Sequence, residues 1–408
     1  MDTKIDLSTP AVGGFLRSAS RSKEERLNPF PWYRKQLEKG AVLADDSYGG
    51  WHIFGYTEAQ TALRNHTHFS SERFRNSGNM TNPRPSILNL DPPRHTQLRS
   101  LVNTAFTPKA IRHWSTRIQE IVDELLNSIS INNETEETID LVSTLAYPLP
   151  VIVIAEMMGI PAKDREKFKR WSDVLVEGPS SLTPEIIMDL MQRKQVAREE
   201  MRHYFYDVLA KSQHPEHSLI AILLEANLER EKLTAEELIS FCILLLAAGN
   251  ETTTNLITNF WRCMLQYPQA LEDLQHDHSL VPSAIEETLR YYSPVQATSR
   301  IVTEDIEFYG VEMKSGDHVT IWLAAANRDS SIFTNPDTFD IYRSPNHHLA
   351  FGHGIHFCLG APLARLEAEI AIHTMLQRFS SFQAVPAEWE PIISGFVFGL
   401  HSYPMKIR

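Results

Sequence analysis

The sequence is poor in the residue that would build a disulfide framework. Its 408 residues include three cysteines, Cys242, Cys263 and Cys358, too few to staple a chain this long and suited to a reducing cytoplasm. Concentrated positive charge is missing as well: Lys and Arg form no run, and 39 basic against 51 acidic side chains leave a net charge of -12. Nucleic-acid binding is therefore not expected. The longest apolar run, Phe241 to Ala248, is too short to span a bilayer. Asp2, Lys4 and Asp6 interrupt the N-terminus before any apolar stretch, so neither a signal peptide nor a membrane anchor is expected. No Pro/Gly/Ser-rich linker, charge block or internal repeat marks a boundary. One domain over residues 1–408 is expected, although length alone would suggest two or three.

The chain that remains is 42% hydrophobic and 22% charged, enough apolar material for a large core. Pro31 to Glu38 and Thr57 to Asn65 read as helix, with strand or hairpin between them at Trp51 to Tyr56. Phe69 to Leu90 is rich in Ser, Asn, Gly and Pro, and a loop of that length inside a compact domain predicts a lid or pocket wall. Helical periodicity covers Pro93 to about Lys211. Thr234 with Glu237 three residues on makes a capping box. From it a helix runs without proline to Tyr267-Pro268, long enough at about 1.5 Å per residue to cross the whole domain. Short strands follow from Val295 to Ile321, and helix returns from Ala361 to Phe379. The expectation is a mainly α chain with a small β region (α+β), its β-rich parts at roughly 40–56 and 295–322, without the βα alternation of a doubly wound fold.

One segment stands out: Phe351-Gly352-His353-Gly354-Ile355-His356-Phe357-Cys358-Leu359-Gly360 puts a cysteine in a glycine-rich turn just before a helix. Glycine permits positive φ and close approach of the backbone to a flat ligand. N–H groups at the helix start favour thiolate over thiol. The bland alternative is a buried structural thiol. A zinc site drawing on His347, His348, His353, His356 and Cys358 has too few cysteines for the usual spaced pairs. Cys242 and Cys263 lie in apolar helical sequence and read as inert core.

The run Phe351-x-x-Gly354-x-x-x-Cys358-x-Gly360 resembles the haem-ligand signature of the cytochrome P450 superfamily, and other segments resemble that family in the same order. Glu287-Thr288-Leu289-Arg290 is similar to its E-x-x-R pair, with Arg343 as the third member of a structural ion network. Asp91-Pro92-Pro93-Arg94-His95-x-x-x-Arg99 resembles the segment whose His and Arg reach the haem propionates, and Arg300 and His356 match two further propionate positions. Ala248-Gly249-Asn250-Glu251-Thr252-Thr253 resembles the acid-alcohol motif, in mid-helix, where Gly costs roughly 1 kcal/mol relative to Ala. A Thr hydroxyl that competes for an upstream carbonyl can open such a helix to water.

The resemblance implies the cytochrome P450 fold, with haem b between the long central helix and the cysteine-loop helix. It implies Cys358 as the iron ligand, cofactor contacts from His95, Arg99, Ala248, Arg300, Phe351, His356 and Gly360, and proton relay to bound O2 by the catalytic pair Glu251 and Thr252. Thiolate donation then favours O–O cleavage. One oxygen atom enters a C–H bond and the other leaves as water. Ile87, Leu88, Leu244, Ala248, Val295, Ala297, Phe396 and Val397 match positions over the distal haem face and are all apolar. Similarity is greatest to soluble bacterial members, within them a Bacillus-type branch acting on fatty acids, terpenoids and steroids or secosteroids. No cysteine cluster or G-x-G-x-x-G fingerprint marks a fused reductase. A separate ferredoxin or flavodoxin with its NAD(P)H-dependent reductase is implied, docking on the cysteine side near Arg99, Lys109 and Arg112. Two alternatives remain, a hydrogen-peroxide-driven peroxygenase and a non-catalytic haem sensor. Glu251 with Thr252 counts against the first, and the absence of an output domain against the second.

Overall fold

The computed structural model of the chain describes every residue except 1–20, 46–48, 73–85, 130–135, 178, 180–182, 211–217, 230–233 and 387. Its main helices are α1 (Phe30–Lys39), α2 (Tyr56–Arg64), α3 (Arg94–Asn103), α4 (Ser115–Asn127), α5 (Pro148–Met157), α6 (Arg165–Val176), α7 (Pro184–Leu209), α8 (Ala235–Gln266), α9 (Val281–Tyr291) and α10 (Ala361–Arg378). Its strands are β1 (Val42–Ala44), β2 (Trp51–Ile53), β3 (Phe69–Ser70), β4 (Glu137–Asp140), β5 (Thr298–Val302), β6 (Ile306–Phe308), β7 (Val311–Met313), β8 (His318–Ile321), β9 (Phe382–Ala384) and β10 (Pro404–Ile407).

The capping box sets where the central helix begins. Thr234 Oγ1 accepts from the Glu237 N–H at 3.2 Å, and Glu237 Oε2 accepts from the Thr234 N–H at 2.9 Å. Two N–H groups that have no partner inside the helix are thus satisfied. The 32 residues of α8 then run through the core, with α5, α7, α9 and α10 packed on it. Cys242 and Cys263 are fully buried in α8, and burial pushes both thiols up, Cys242 to about 12. They are inert packing residues.

A five-stranded sheet in the order β1-β2-β8-β5-β3 flanks this core. Only β2 and β8 run parallel, Trp51 opposite Val319, and the other pairs are antiparallel. Its inward residues, among them Ile53, Phe69, Val302, Val319 and Ile321, form a second apolar cluster. Tyr309 and Gly310 link β6 to β7 with both φ values positive, 50° and 80°, the backbone that a tight hairpin demands and that suits glycine.

The mainly helical expectation with a small β region holds, and β1, β2 and β5 to β8 fall where the sequence placed strands. One part needs correction. Glu137–Asp140 lies inside the stretch read as helix, yet it is strand β4, paired with β10, which also pairs with β9. Partners at Pro404–Ile407 are invisible to a local pattern, and tertiary pairing overrides local periodicity. The expected lid falls mostly on residues 73–85, outside the described residues.

The fold also depends on one buried ionic cluster. Glu287 and Arg290 are both 0% exposed. Arg290 Nε and Nη2 donate to the two Glu287 oxygens at 2.8 and 2.7 Å, and Arg343 Nε reaches the same carboxylate at 3.1 Å. Arg290 also donates to the carbonyls of Asn327, Pro336 and Thr338. Glu287→Ala is expected to lower stability by about 3–5 kcal/mol through the unpaired buried charge it leaves. Lys314→Ala, which breaks an exposed pair with Asp305, should leave the urea midpoint unchanged. Equal midpoints for the two variants would contradict the role given to Glu287.

Candidate active site

Cys358 occupies the end of a turn that its glycines make possible. Gly352 and Gly354 have φ of +71° and +73°, values that L side chains rarely adopt. The Cys358 N–H donates to the Phe351 carbonyl at 2.9 Å, and α10 begins three residues on. Burial pushes the thiol up, while the N–H groups of Gly360 and Ala361 and the Arg99 guanidinium pull it back. The N–H groups at the helix start thus pull toward thiolate as expected, and in the chain by itself desolvation outweighs them. A bound metal cation would deprotonate such a thiol outright.

Between α8 and α10 lies a cavity of about 340 Å³, partly open to solvent, and Cys358, Phe351, His356 and Gly360 line it from the turn. Ala248, Gly249, Thr252 and Thr253 line it from α8, Leu363, Ala364 and Glu367 from α10, and Arg300 from β5. Of the expected pocket residues, Ile87, Leu88, Leu244, Ala248 and Val295 are on the lining; Ala297, Phe396 and Val397 are not. Side chains alternate along β5, so Thr298 and Arg300 face the cavity while Ala297 is buried in the core. Val397 bridges Val295 from behind, and the Phe396 carbonyl accepts from the Gln296 N–H. Phe106, Ile154, Phe241 and Leu323 complete the apolar wall instead.

The cationic groups gather on one side. Arg99 lines the cavity and donates to the Phe357 carbonyl at 2.6 Å. Arg300, 5% exposed, donates to the Ser299 carbonyl at 2.8 Å. His95 stands behind the lining, its ring 4.2 Å from that of His356. It is 2% exposed, and neither of its nitrogens has a hydrogen-bond partner. A buried, unsatisfied imidazole beside the Arg99 guanidinium, with Arg300 on the lining of the same cavity, fits a buried anion such as the carboxylates of haem. The histidines weighed for zinc are dispersed. His348 meets Glu286 at 3.0 Å and His353 accepts from Arg64.

On α8 the acid and the alcohol point apart. Thr252 Oγ1 donates to the Ala248 carbonyl at 2.7 Å and faces the cavity, and the helix stays α-helical through it. Glu251 is off the lining. Burial pushes its carboxyl up to about 7, and the Lys194 charge on α7 opposes that only in part. Such a carboxyl exchanges protons at neutral pH. Gly249 packs closely on α5: a Cβ there would lie 3.3 Å from Ile154 Cγ1, so that side chain would have to yield by a few tenths of an ångström.

Sequence reasoning missed two groups. Glu367 is 1% exposed and lines the cavity, with Oε1 unpartnered. Burial pushes its carboxyl up to about 8 against a bond from Thr253. Its signal was helical spacing, since Gly360, Leu363, Ala364 and Glu367 share one stripe of α10. Glu286, adjacent to Glu287, is held at about 2 by Arg365 and His348, and Arg365 stacks on Phe351 at 4.5 Å. This second cluster ties α9 to the cysteine turn more directly than Glu287 does.

A cysteine turn, a cationic rim and a hydroxyl-bearing helix around one apolar cavity describe a haem-thiolate oxygenase. Residues 10–408 match the family described as Cytochrome P450, and the chain belongs to that family; it is a cytochrome P450 monooxygenase. It is 42% identical over 388 residues to "Putative cytochrome P450 YjiB" of Bacillus subtilis (strain 168), covering 95% of this chain and 96% of the relative. With "Cytochrome P450 109" of Bacillus spizizenii it shares 44% over 389 residues, covering 95% and 93%. Among solved structures, CYP109E1 from Bacillus megaterium in complex with testosterone superposes with a TM-score of 0.87 at 44% identity, covering 94% of this chain and 99% of that one. P450BioI in complex with acyl carrier protein ligated to hexadec-9Z-enoic acid superposes with a TM-score of 0.86 at 37% identity, covering 95% and 99%.

The raised carboxyl of Glu367 has a measurable cost. Between the ordinary value of 4.5 and about 8 the folded chain holds a proton that the unfolded chain releases. Stability therefore falls as pH rises through that window. Glu367→Gln should remove this slope, gaining on the parent protein at pH 8 relative to pH 5 by an amount on the order of a few kcal/mol. Urea unfolding at the two pH values checks it, and parallel slopes would count against a buried carboxyl.

Proposed function

We propose that this monooxygenase hydroxylates a large apolar substrate of the steroid, fatty-acid or terpenoid kind, acting as a single domain in the cytoplasm, with Cys358 as thiolate ligand to the iron of haem b. Bound haem supplies the activation of O2. The chain's own residues do the rest. Arg99, Arg300 and His356, with His95 behind them, offer cationic and N–H groups to the propionate edge. The apolar wall orients substrate by dispersion and excludes water. Glu251, poised near neutrality, takes a proton from the solvent side, and the Thr252 hydroxyl hands it into the cavity.

One observation carries this reading: the Thr252 hydroxyl and Cys358 line the same largely apolar cavity, with a carboxyl of pKa about 7 at the adjoining residue. The substrate class has support from the neighbours, whose structures hold testosterone, corticosterone or an acyl chain. Electrons come from a separate ferredoxin or flavodoxin with its reductase. That partner would dock on the cysteine side, where Phe357 is exposed and the helix Pro108–Arg112, with Lys109 and Arg112 exposed, packs against α10. Among the described residues no helix is long and apolar enough to cross a membrane.

Titration of the haem-loaded protein with steroids, fatty acids and terpenoids should shift the iron to high spin for the true substrate class. With that substrate, Thr252→Ala should go on consuming O2 while hydroxylated product drops at least tenfold. Glu251→Gln should slow turnover by about 10²–10⁴-fold. Product that still tracks O2 consumption in Thr252→Ala, or equal rates with peroxide alone, would overturn the relay. Charge reversal at Lys109 and Arg112 should slow reduction and flatten its salt dependence. Unchanged rates would move the docking face elsewhere.

A further inference from the structure

His353 lies in the cysteine turn and lines the cavity, yet the roles assigned above do not use it. Its Nε2 accepts a hydrogen bond from Nε of Arg64, the last residue of α2, at 2.6 Å. A guanidinium is always protonated and has no acceptor. Nε2 of His353 must therefore be the nitrogen bearing the lone pair, and the ring's single proton must sit on Nδ1. Protonating Nε2 would require breaking the bond to Arg64.

A second contact holds the two partners in place. Gly354, at φ +73°, lies so close to the end of α2 that a Cβ there would come within 2.5 Å of the Leu63 carbonyl oxygen. The backbone of the cysteine turn thus rests directly on the last turn of α2, and the Arg64–His353 bond closes over that contact.

The charged and titratable groups on this rim are Arg64 and His66 at the end of α2, His95 and Arg99 on α3, Arg300 on β5, and His356 in the same turn. Burial and the Arg64 charge both push His353 below the usual histidine value. His95, whose nitrogens have no partner, has no such lock on its tautomer.

We propose that Arg64 fixes His353 as a neutral imidazole protonated on Nδ1, making it a positioning residue that gives the anionic edge of bound haem an N–H donor independent of pH. This rests on the haem reading of the cavity. The clamp would also make α2 the element that sets the height of the cysteine turn.

The test uses haem-loaded protein and reads the ferric Soret band and the midpoint reduction potential from pH 5.5 to 8. Arg64→Met keeps the stem and removes the donor. It should gain a titration step below the ordinary histidine value of about 6.5, because burial persists, and that step is absent from the parent protein. The double variant Arg64→Met/His353→Gln should lose that step, and Arg64→Lys, which can still donate, should behave as the parent does. An Arg64→Met protein that fails to load haem while Arg64→Lys loads it also supports the clamp. The proposal is overturned if Arg64→Met shows no step that depends on His353, or if the parent already shows one that His353→Gln abolishes. If the reduced parent protein with carbon monoxide lacks the thiolate-haem band, the haem reading itself fails and takes this inference with it.

Discussion

Glu287 and Arg290 have no contact with water, and neither carries a polar atom without a partner. A buried charge is tolerable only on such terms, because each lost partner leaves desolvation uncompensated. The guanidinium gathers three backbone carbonyls from the segment between the small sheet and the cysteine turn. Asp340 N–H and Asn346 Nδ2 bind the carboxylate from the same segment. Residues 327–346 have little regular structure of their own, and their path follows from this cluster. The cysteine turn begins where that path ends, so the position of Cys358 depends on a carboxylate that never meets it.

The second acidic residue of α9 completes the support. Glu286 binds Arg365 and His348, and Arg365 covers the Phe351 ring. One helical turn therefore sends Glu287 into the loop segment and Glu286 toward the turn itself. The cavity can be largely apolar because the buried ion pairs of α9 are compensated outside it, while Arg99 and Arg300 confine positive charge to part of its lining.

Much of this was legible in the sequence, for physical reasons that differ between elements. The capping box, the proline-free run of α8 and the glycine turn around Cys358 are local patterns, and the structure follows them. Strands β4, β9 and β10 were not legible, because their partners lie far along the chain and their short segments carry no period of their own. At the site, residues in contiguous motifs could be named in advance. Ala297, Phe396 and Val397 could not be placed, since one step along an extended backbone turns a side chain from cavity to core. Glu367 was readable as a carboxylate on an otherwise apolar stripe but belonged to no recognised segment.

The pairing of Trp51 with Val319 and of Phe69 with Val302 has a consequence for biosynthesis. Joining segments so distant in sequence is slow, because the intervening chain must be ordered first. Thr298 and Arg300, which form the rim, belong to the sheet that those pairings close. On a ribosome the walls of α3, α5 and α8 would exist while the rim was still unmade, leaving a wide apolar trough exposed until the last third of the chain emerged. The nascent protein is therefore most prone to aggregation late in synthesis, and the cavity gains its last wall only when the cysteine turn and α10 emerge after the rim.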